Sequence, residues 1–272
     1  MARPHRRGVL LAFAVAGLAC SSGPRLPRTA DAVALEVGGA VKGGPFRLSE
    51  ADVAALPEGE VRGVDPRTGQ VAQYQGLALA ELEERVELER GADTLVLRSA
   101  GGEEIPIPLS VVRQLRPVLA SRADGAALEA RMLAWPNVAH HGLNTDPRAP
   151  LWWVRRVVKV DFVPWHGVYG KALRIPEGAP RGALAGARTF GARCIGCHEL
   201  RGTGGANGPA LEQGGAFTEP ARLRAILADH PGVGGGGVPA PAPERVEELA
   251  VFLRVIATTR PEDGDGEEAQ GP

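Results

Sequence analysis

Apolar positions recur with a period of two along the first half of the chain and with a helical period towards its end. Val33, Leu35 and Val37 alternate with small or polar residues and run into Gly38-Gly39, which predicts a strand. Ser49-Glu50-Ala51-Asp52 ahead of Val53 and Leu56 predicts a capped helical turn. Val61 to Gln75 predicts a hairpin whose turn is Asp65-Pro66-Arg67-Thr68-Gly69. In Leu79 to Glu89, Leu79, Leu82 and Val86 share one helical face, and Glu81, Glu83, Glu84 and Glu87 fall elsewhere. Thr94 to Arg98 predicts a buried strand, Ile105 to Leu109 another, and Leu109 to Leu115 a short helix. Ala127 to Trp135 and Trp152 to Phe162 add two strand-like runs. Strands dominate with helices set between them, so residues 31–164 are expected to form an α+β domain.

Residues 165–181 are rich in Gly and Pro, with Trp165, His166, Tyr169 and Lys171 interleaved, and are expected to be a linker or hinge packed across the interface. The pattern then turns helical over 182–260, which predicts a second, all-α domain. Ala183, Leu184, Ala187 and Phe190 define its first helix and Pro220 to Asp229 its middle one. Val246, Leu249, Ala250, Leu253 and Ile256 define the last, which starts after Pro243 with Glu244 near its N-terminus. Trp152, Trp153 and Trp165 are expected in the cores and between the domains rather than as electron relays. His140, His141, Asn144 and Asp146 could be ligands, but the surrounding turn formers Pro136, Asn137, Gly142 and Pro147 favour a polar loop.

The chain has 272 residues and a formal charge of -1, with acids and bases interspersed. No basic face is offered, so nucleic acid is not an expected partner. Arg3, Arg6 and Arg7 precede an apolar run from Gly8 to Ala19 that is too short to span a bilayer, the pattern of an export signal over residues 1–20. The run ends in Gly17-Leu18-Ala19-Cys20, which resembles the lipobox of bacterial lipoproteins. That resemblance implies lipidation of Cys20, membrane anchoring and a periplasmic place in the cell envelope, with ordinary signal cleavage as the alternative. Residues 21–30 read as a Ser/Pro/Arg tether and the Glu/Asp/Gly-rich 261–272 as a disordered acidic tail.

The other two of the three cysteines lie in Cys194-Ile195-Gly196-Cys197-His198. Two thiols three positions apart, followed at once by a histidine, is the spacing for one covalently attached c-type haem, with His198 as the proximal iron ligand. A redox dithiol would need a βαβ setting that this Gly-rich segment lacks, and a zinc site would need two more ligands nearby.

Residues 182–260 resemble class I cytochromes c. The resemblance implies that Gly186 and Phe190 pack on the last helix. It also implies that the loop Gly204-Gly205-Ala206-Asn207-Gly208-Pro209-Ala210-Leu211 brings the Pro209 carbonyl to the His198 ring. Attachment outside the cytoplasm, implied by the same resemblance, agrees with the export signal. The family's distal methionine is missing: the only methionines are Met1 and Met132, and the corresponding step reads Gly237-Val238-Pro239. Three arrangements stay open. His230, in Asp229-His230-Pro231, is the distal ligand; the distal position is open; or Met132 or His140 arrives from the first domain.

Residues 33–163 resemble the molybdopterin-binding domain of the sulfite-oxidase type. The resemblance rests on Leu35-Glu36-Val37-Gly38-Gly39, Tyr74-Gln75-Gly76-Leu77-Ala78-Leu79, Asp93-Thr94-Leu95-Val96-Leu97 and Pro150-Leu151-Trp152-Trp153-Val154. The family places a metal-binding cysteine near the counterpart of Val61-Arg62-Gly63-Val64-Asp65, and no cysteine lies between Cys20 and Cys194. A scaffold without the metal, and without molybdopterin, is therefore expected.

The expected function is one-electron transfer by an exported monohaem cytochrome rather than enzymatic turnover. Its first domain would be a docking module for a redox partner protein of the cell envelope. A molybdopterin oxidoreductase feeding its own haem, and a haem-based ligand sensor with an open distal site, are the alternatives.

Overall fold

Leu95 and Leu97 face one hydrophobic core and Val96, between them, faces a second. The strand that carries them is therefore covered on both sides, which is why it reads as a continuous apolar run. The computed structural model describes residue 26 and residues 32–212, 215–230 and 239–259. The export signal, Cys20, most of the tether, the acidic tail and the Gly234–Val238 stretch lie outside the described residues. Among those described, no helix is long and apolar enough to cross a membrane.

The first half is mixed α/β. The strands are β1 (Leu35–Gly39), β2 (Phe46–Leu48), β3 (Glu58–Val64), β4 (Val71–Ala78), β5 (Thr94–Ser99), β6 (Glu104–Pro108), β7 (Val118–Ala123), β8 (Ala126–Ala134) and β9 (Val157–Val163). Helices α1 (Glu50–Ala54), α2 (Leu79–Arg85) and α3 (Leu109–Leu115) are set between them. One sheet has the order β2-β1-β9-β5-β6, with β1 parallel to β9, and the other β3-β4-β7-β8. Strand β6 is thus an edge.

Local chemistry accounts for most of these elements. Ser49 and Asp52 form a reciprocal capping box on α1. The Asp65 carboxylate accepts from the Arg67 N–H at 2.9 Å and fixes the β3–β4 turn, which closes with Gly69 at φ 68°. A bulge falls at Gln75/Gly76, where a Cβ on Gly76 would lie 2.7 Å from the Ala120 Cα.

Three segments depart from the sequence pattern for tertiary reasons. Helix α2 stops at Arg85 instead of reaching Glu89, because Val86 is extended and the chain turns to pair with Val41: Lys42 N–H donates to Glu87, and Glu89 N–H to Ala40. Only Val157–Val163 of the Trp152–Phe162 run is strand. Ala149–Trp152 is a 3-10 turn, and Arg156 with φ 52° breaks the chain before β9. Residues 165–181, read as a linker or hinge packed across the interface, carry local structure that their Gly- and Pro-rich pattern does not mark. Trp165, Tyr169, Leu173 and Ile175 are buried in the second core, His166–Gly170 forms a π-helical turn, and the Trp165 N–H donates to Asp93 at 2.7 Å.

Beyond Gly182 the described elements are helical: α4 (Ala183–Arg193), α5 (Pro220–Ala228) and α6 (Pro243–Thr258). Pro220 and Pro243 open α5 and α6, where a missing N–H costs nothing. The α4–α6 contact is close. A Cβ on Gly186 would lie 2.7 Å from the Phe252 Cβ, and the Phe190 and Phe252 rings are 5.7 Å apart.

Candidate cofactor site

The last turn of α4 passes directly into the cysteine motif. The Cys194 N–H donates to Phe190 at 2.8 Å, and the Cys197 and His198 N–H groups both donate to the Cys194 carbonyl, at 3.0 and 2.9 Å. Cys194, Cys197 and His198 are thereby held together on one helical turn. Both cysteines are free thiols.

The following loop folds back over the motif. Gly205 and Gly208 N–H groups donate to Ile195 and Cys197 at 2.8 and 2.7 Å. Only glycine fits beneath. A Cβ on Gly204, at φ 113°, would lie 2.6 Å from the Ile195 oxygen, and one on Gly208 would lie 2.6 Å from His198 Nδ1. The loop delivers the Pro209 carbonyl to His198 Nδ1 at 2.8 Å. A carbonyl can only accept, so Nδ1 carries the proton and Nε2 keeps its lone pair.

That lone pair is directed at His230. The two Nε2 atoms are 3.3 Å apart, with ring centroids at 5.6 Å and planes inclined by 55°. Burial, and then the neighbouring His198, hold His230 below the usual imidazole range. Both rings border a cavity of about 390 Å³. Phe190, Leu223, Leu227 and Leu253 give it apolar walls from α4, α5 and α6, and Cys194 and Cys197 lie on its margin.

Burial pushes the Cys194 thiol up to about 12 against the Arg193 charge. It also raises Cys197, helped by Glu103 and opposed by a hydrogen bond with Asn207 and by Arg67. Protonated thiols of this kind are poor redox nucleophiles, which separates the site from a reactive dithiol. Among the described residues, no group of three or more His, Cys, Asp or Glu side chains converges on an ion-sized site.

Cys194, Cys197, His198, Pro209 and His230, singled out in the sequence, are therefore brought together. The other candidates are placed elsewhere. Met132 is buried in the first core, paired with Ala120 on β7. His140 and His141 are exposed beside a 3-10 turn, Asn144 donates to the Asn137 carbonyl at 3.1 Å, and Asp146 pairs with Arg148 at 2.8 Å. Trp152, Trp153 and Trp165 are buried, with the Trp135 Nε1 donating to the Trp152 carbonyl at 2.9 Å.

The cavity wall supplied by the first half has no counterpart in the sequence reading. Ile105, Pro150 and Leu151 line it, together with Arg67 and Glu103. The edge strand β6 is tied to the motif by the Glu104 N–H, which donates to the Gly196 carbonyl at 2.7 Å. The turn before β6 is tied to the loop after the motif by the Ala206 N–H, which donates to the Gly102 carbonyl at 2.8 Å. A Cβ on Gly196 would lie 2.5 Å from Ile105 Cδ1. The motif loop thus covers the open edge of the five-stranded sheet.

The segment Val61–Asp65 does not suit molybdenum. Gly63 is wedged where a Cβ would lie 2.8 Å from the Trp153 ring, the Asp65 carboxylate is paired with Arg155, and no soft anionic ligand is present.

Comparison with protein-family models and with curated proteins gives no match. Among solved structures, the sulfane dehydrogenase SoxCD from Paracoccus pantotrophus is similar at 17% identity and a TM-score of 0.38; the match covers 48% of this chain and 38% of that chain.

Proposed function

We propose that this chain is an exported, lipid-anchored monohaem c-type cytochrome that passes single electrons in the cell envelope. Cys194 and Cys197 would bond the haem vinyl groups, and His198 and His230 would supply nitrogen ligands to its iron. The observation that carries this is the pair of Nε2 atoms 3.3 Å apart on the border of an apolar cavity that both thiols also border. Two imidazoles sharing one metal need their nitrogens about 4 Å apart, twice a metal–imidazole bond of about 2 Å. The present spacing is about 0.7 Å short of that, a rotamer-sized adjustment.

Bound there, haem would supply a one-electron iron couple. The chain's own residues do the rest. Pro209 holds the His198 ring in the tautomer that presents a lone pair, and the leucines of α5 and α6 keep water out. Ile105 and Leu151 extend that shield from the first domain, so this domain is a wall of the site as well as a surface for a redox partner. Export and lipidation at Cys20 would place the protein where haem attachment occurs.

The test is an optical spectrum with metal analysis on one sample. A low-spin spectrum without a methionine–iron band, and one iron per chain without molybdenum, is expected. A high-spin spectrum that responds to carbon monoxide would exclude His230 as a ligand, and absence of covalent haem would exclude the whole assignment.

A further inference from the structure

Strand β6 carries Glu104, whose backbone N–H is bonded to the motif at Gly196 and whose side chain is only 10% exposed. One carboxylate oxygen accepts from the Tyr169 hydroxyl at 3.0 Å, and the other is paired with Arg98. Arg98 also donates from Nε to Asp161 at 2.9 Å, and Lys159 lies 3.4 Å from the second Asp161 oxygen and 2.6 Å from Glu36. These are the charged and titratable groups around Glu104: Arg98 on β5, Asp161 and Lys159 on β9, Glu36 beyond them on β1, and Tyr169 on the π-helical turn.

The cluster does not balance. Three carboxylates, Glu36, Asp161 and Glu104, meet two cations, Arg98 and Lys159, and the second Asp161 oxygen is held by the longer Lys159 ion pair at 3.4 Å. Glu104 and Asp161 are buried while Arg98, Lys159 and Glu36 are partly exposed, so an excess of one negative charge around two buried carboxylates is an arrangement that one proton would relieve.

We propose that Glu104 is a redox-linked proton site, taking up one proton when the cofactor held by Cys194, Cys197 and His198 gains an electron and releasing it on oxidation. This rests on the haem assignment above. The electron comes from a one-electron donor protein and the proton from solvent. One O–H bond forms on the Glu104 carboxylate, and its ion pair with Arg98 loosens. Reduction removes one positive charge from the metal, so a carboxylate anchored to the motif binds its proton more tightly, and by linkage the proton favours reduction. Burial raises Glu104 above the usual carboxylate range, opposed by the Arg98 charge and the Tyr169 hydrogen bond. The buried setting keeps the coupling from being screened.

The experiment is a potentiometric titration of the full haem-loaded chain over pH, with redox-triggered infrared difference spectra on the same protein. The potential should fall with rising pH across one window and be flat on either side; a tenfold difference in proton affinity between redox states moves it by about 59 mV. A protonated-carboxyl band should appear on reduction. Glu104→Gln should abolish both the slope and the band. Tyr169→Phe should keep the slope and move the window to higher pH, because it removes a bond that favours the carboxylate. A flat profile in the parent protein, or a slope and band unchanged in Glu104→Gln, would overturn the proposal while leaving the haem assignment intact. A chain without covalent haem would remove both.

Discussion

Gly186 sits directly under the Glu248 backbone: a Cβ added to it would lie 2.7 Å from the Glu248 carbonyl carbon and 2.7 Å from the Phe252 Cβ. Backbone cannot move aside as a flexible side chain can, so α4 and α6 approach this closely only with glycine there. Gly186→Ala should destabilise the protein by about 1–3 kcal/mol, the range for overpacking a close contact. Chemical denaturation of the haem-loaded protein would measure it; an unchanged midpoint would mean that the helices can part at no cost.

The two histidines should behave differently. His230→Ala should leave covalent haem in place and convert the spectrum to high-spin, carbon monoxide-binding iron. His198→Ala removes the ring that Pro209 orients and should impair maturation itself. Gly208→Ala is the subtler probe, since its Cβ would lie 2.6 Å from His198 Nδ1 and push the ring off its carbonyl partner. It should broaden or shift the haem bands without touching a ligand. Bands identical to those of the parent would show that the loop does not hold the ring.

The placing of Cys194, Cys197 and His198 on one turn was legible from their spacing, and α3–α6 because their apolar stripes are local. The hairpin at Asp65–Gly69 was legible for the same reason: its turn residues act within five positions. Elements decided at a distance were not. The chain leaves its helix at Val86 so that Leu88 can pair with Val41, more than forty residues away in sequence, and nothing in Leu79–Glu89 marks that competition. Trp165 was legible as a packed residue, whereas the burial of Tyr169, Leu173 and Ile175 in the same core is masked by the Gly and Pro around them. The wall made by Ile105, Pro150 and Leu151 is a product of tertiary docking and has no sequence signature.

That wall gives a way to separate a shielding role of the first domain from a purely partner-binding one. Ile105 is buried, borders the cavity and abuts Gly196. Ile105→Ala should cost about 2–5 kcal/mol of stability as a cavity-forming change. It should also lower the reduction potential, because water admitted beside the haem favours the more highly charged oxidised iron. A potential equal to that of the parent, in a variant shown to be destabilised, would confine the first domain to docking.

Glu104 also predicts how stability itself depends on acidity. Burial, opposed by Arg98 and Tyr169, raises its pKa in the folded chain above the unfolded value, so between the two the folded state holds more protons than the unfolded one. Its contribution to stability is therefore fully present below the unfolded value of about 4.3 and is lost as pH rises through the folded value. This slope is opposite in sign to that of an ordinary paired carboxylate. Unfolding free energies measured in denaturant at several pH values, for the parent and for Glu104→Gln at one fixed redox state, should differ most steeply across that window, with the parent losing stability relative to the variant as pH increases. A difference that is constant with pH would mean that burial and the Arg98 pairing cancel, leaving Glu104 with the same proton affinity folded and unfolded. A parent that gains stability relative to the variant as pH rises would mean that the pairing outweighs the burial.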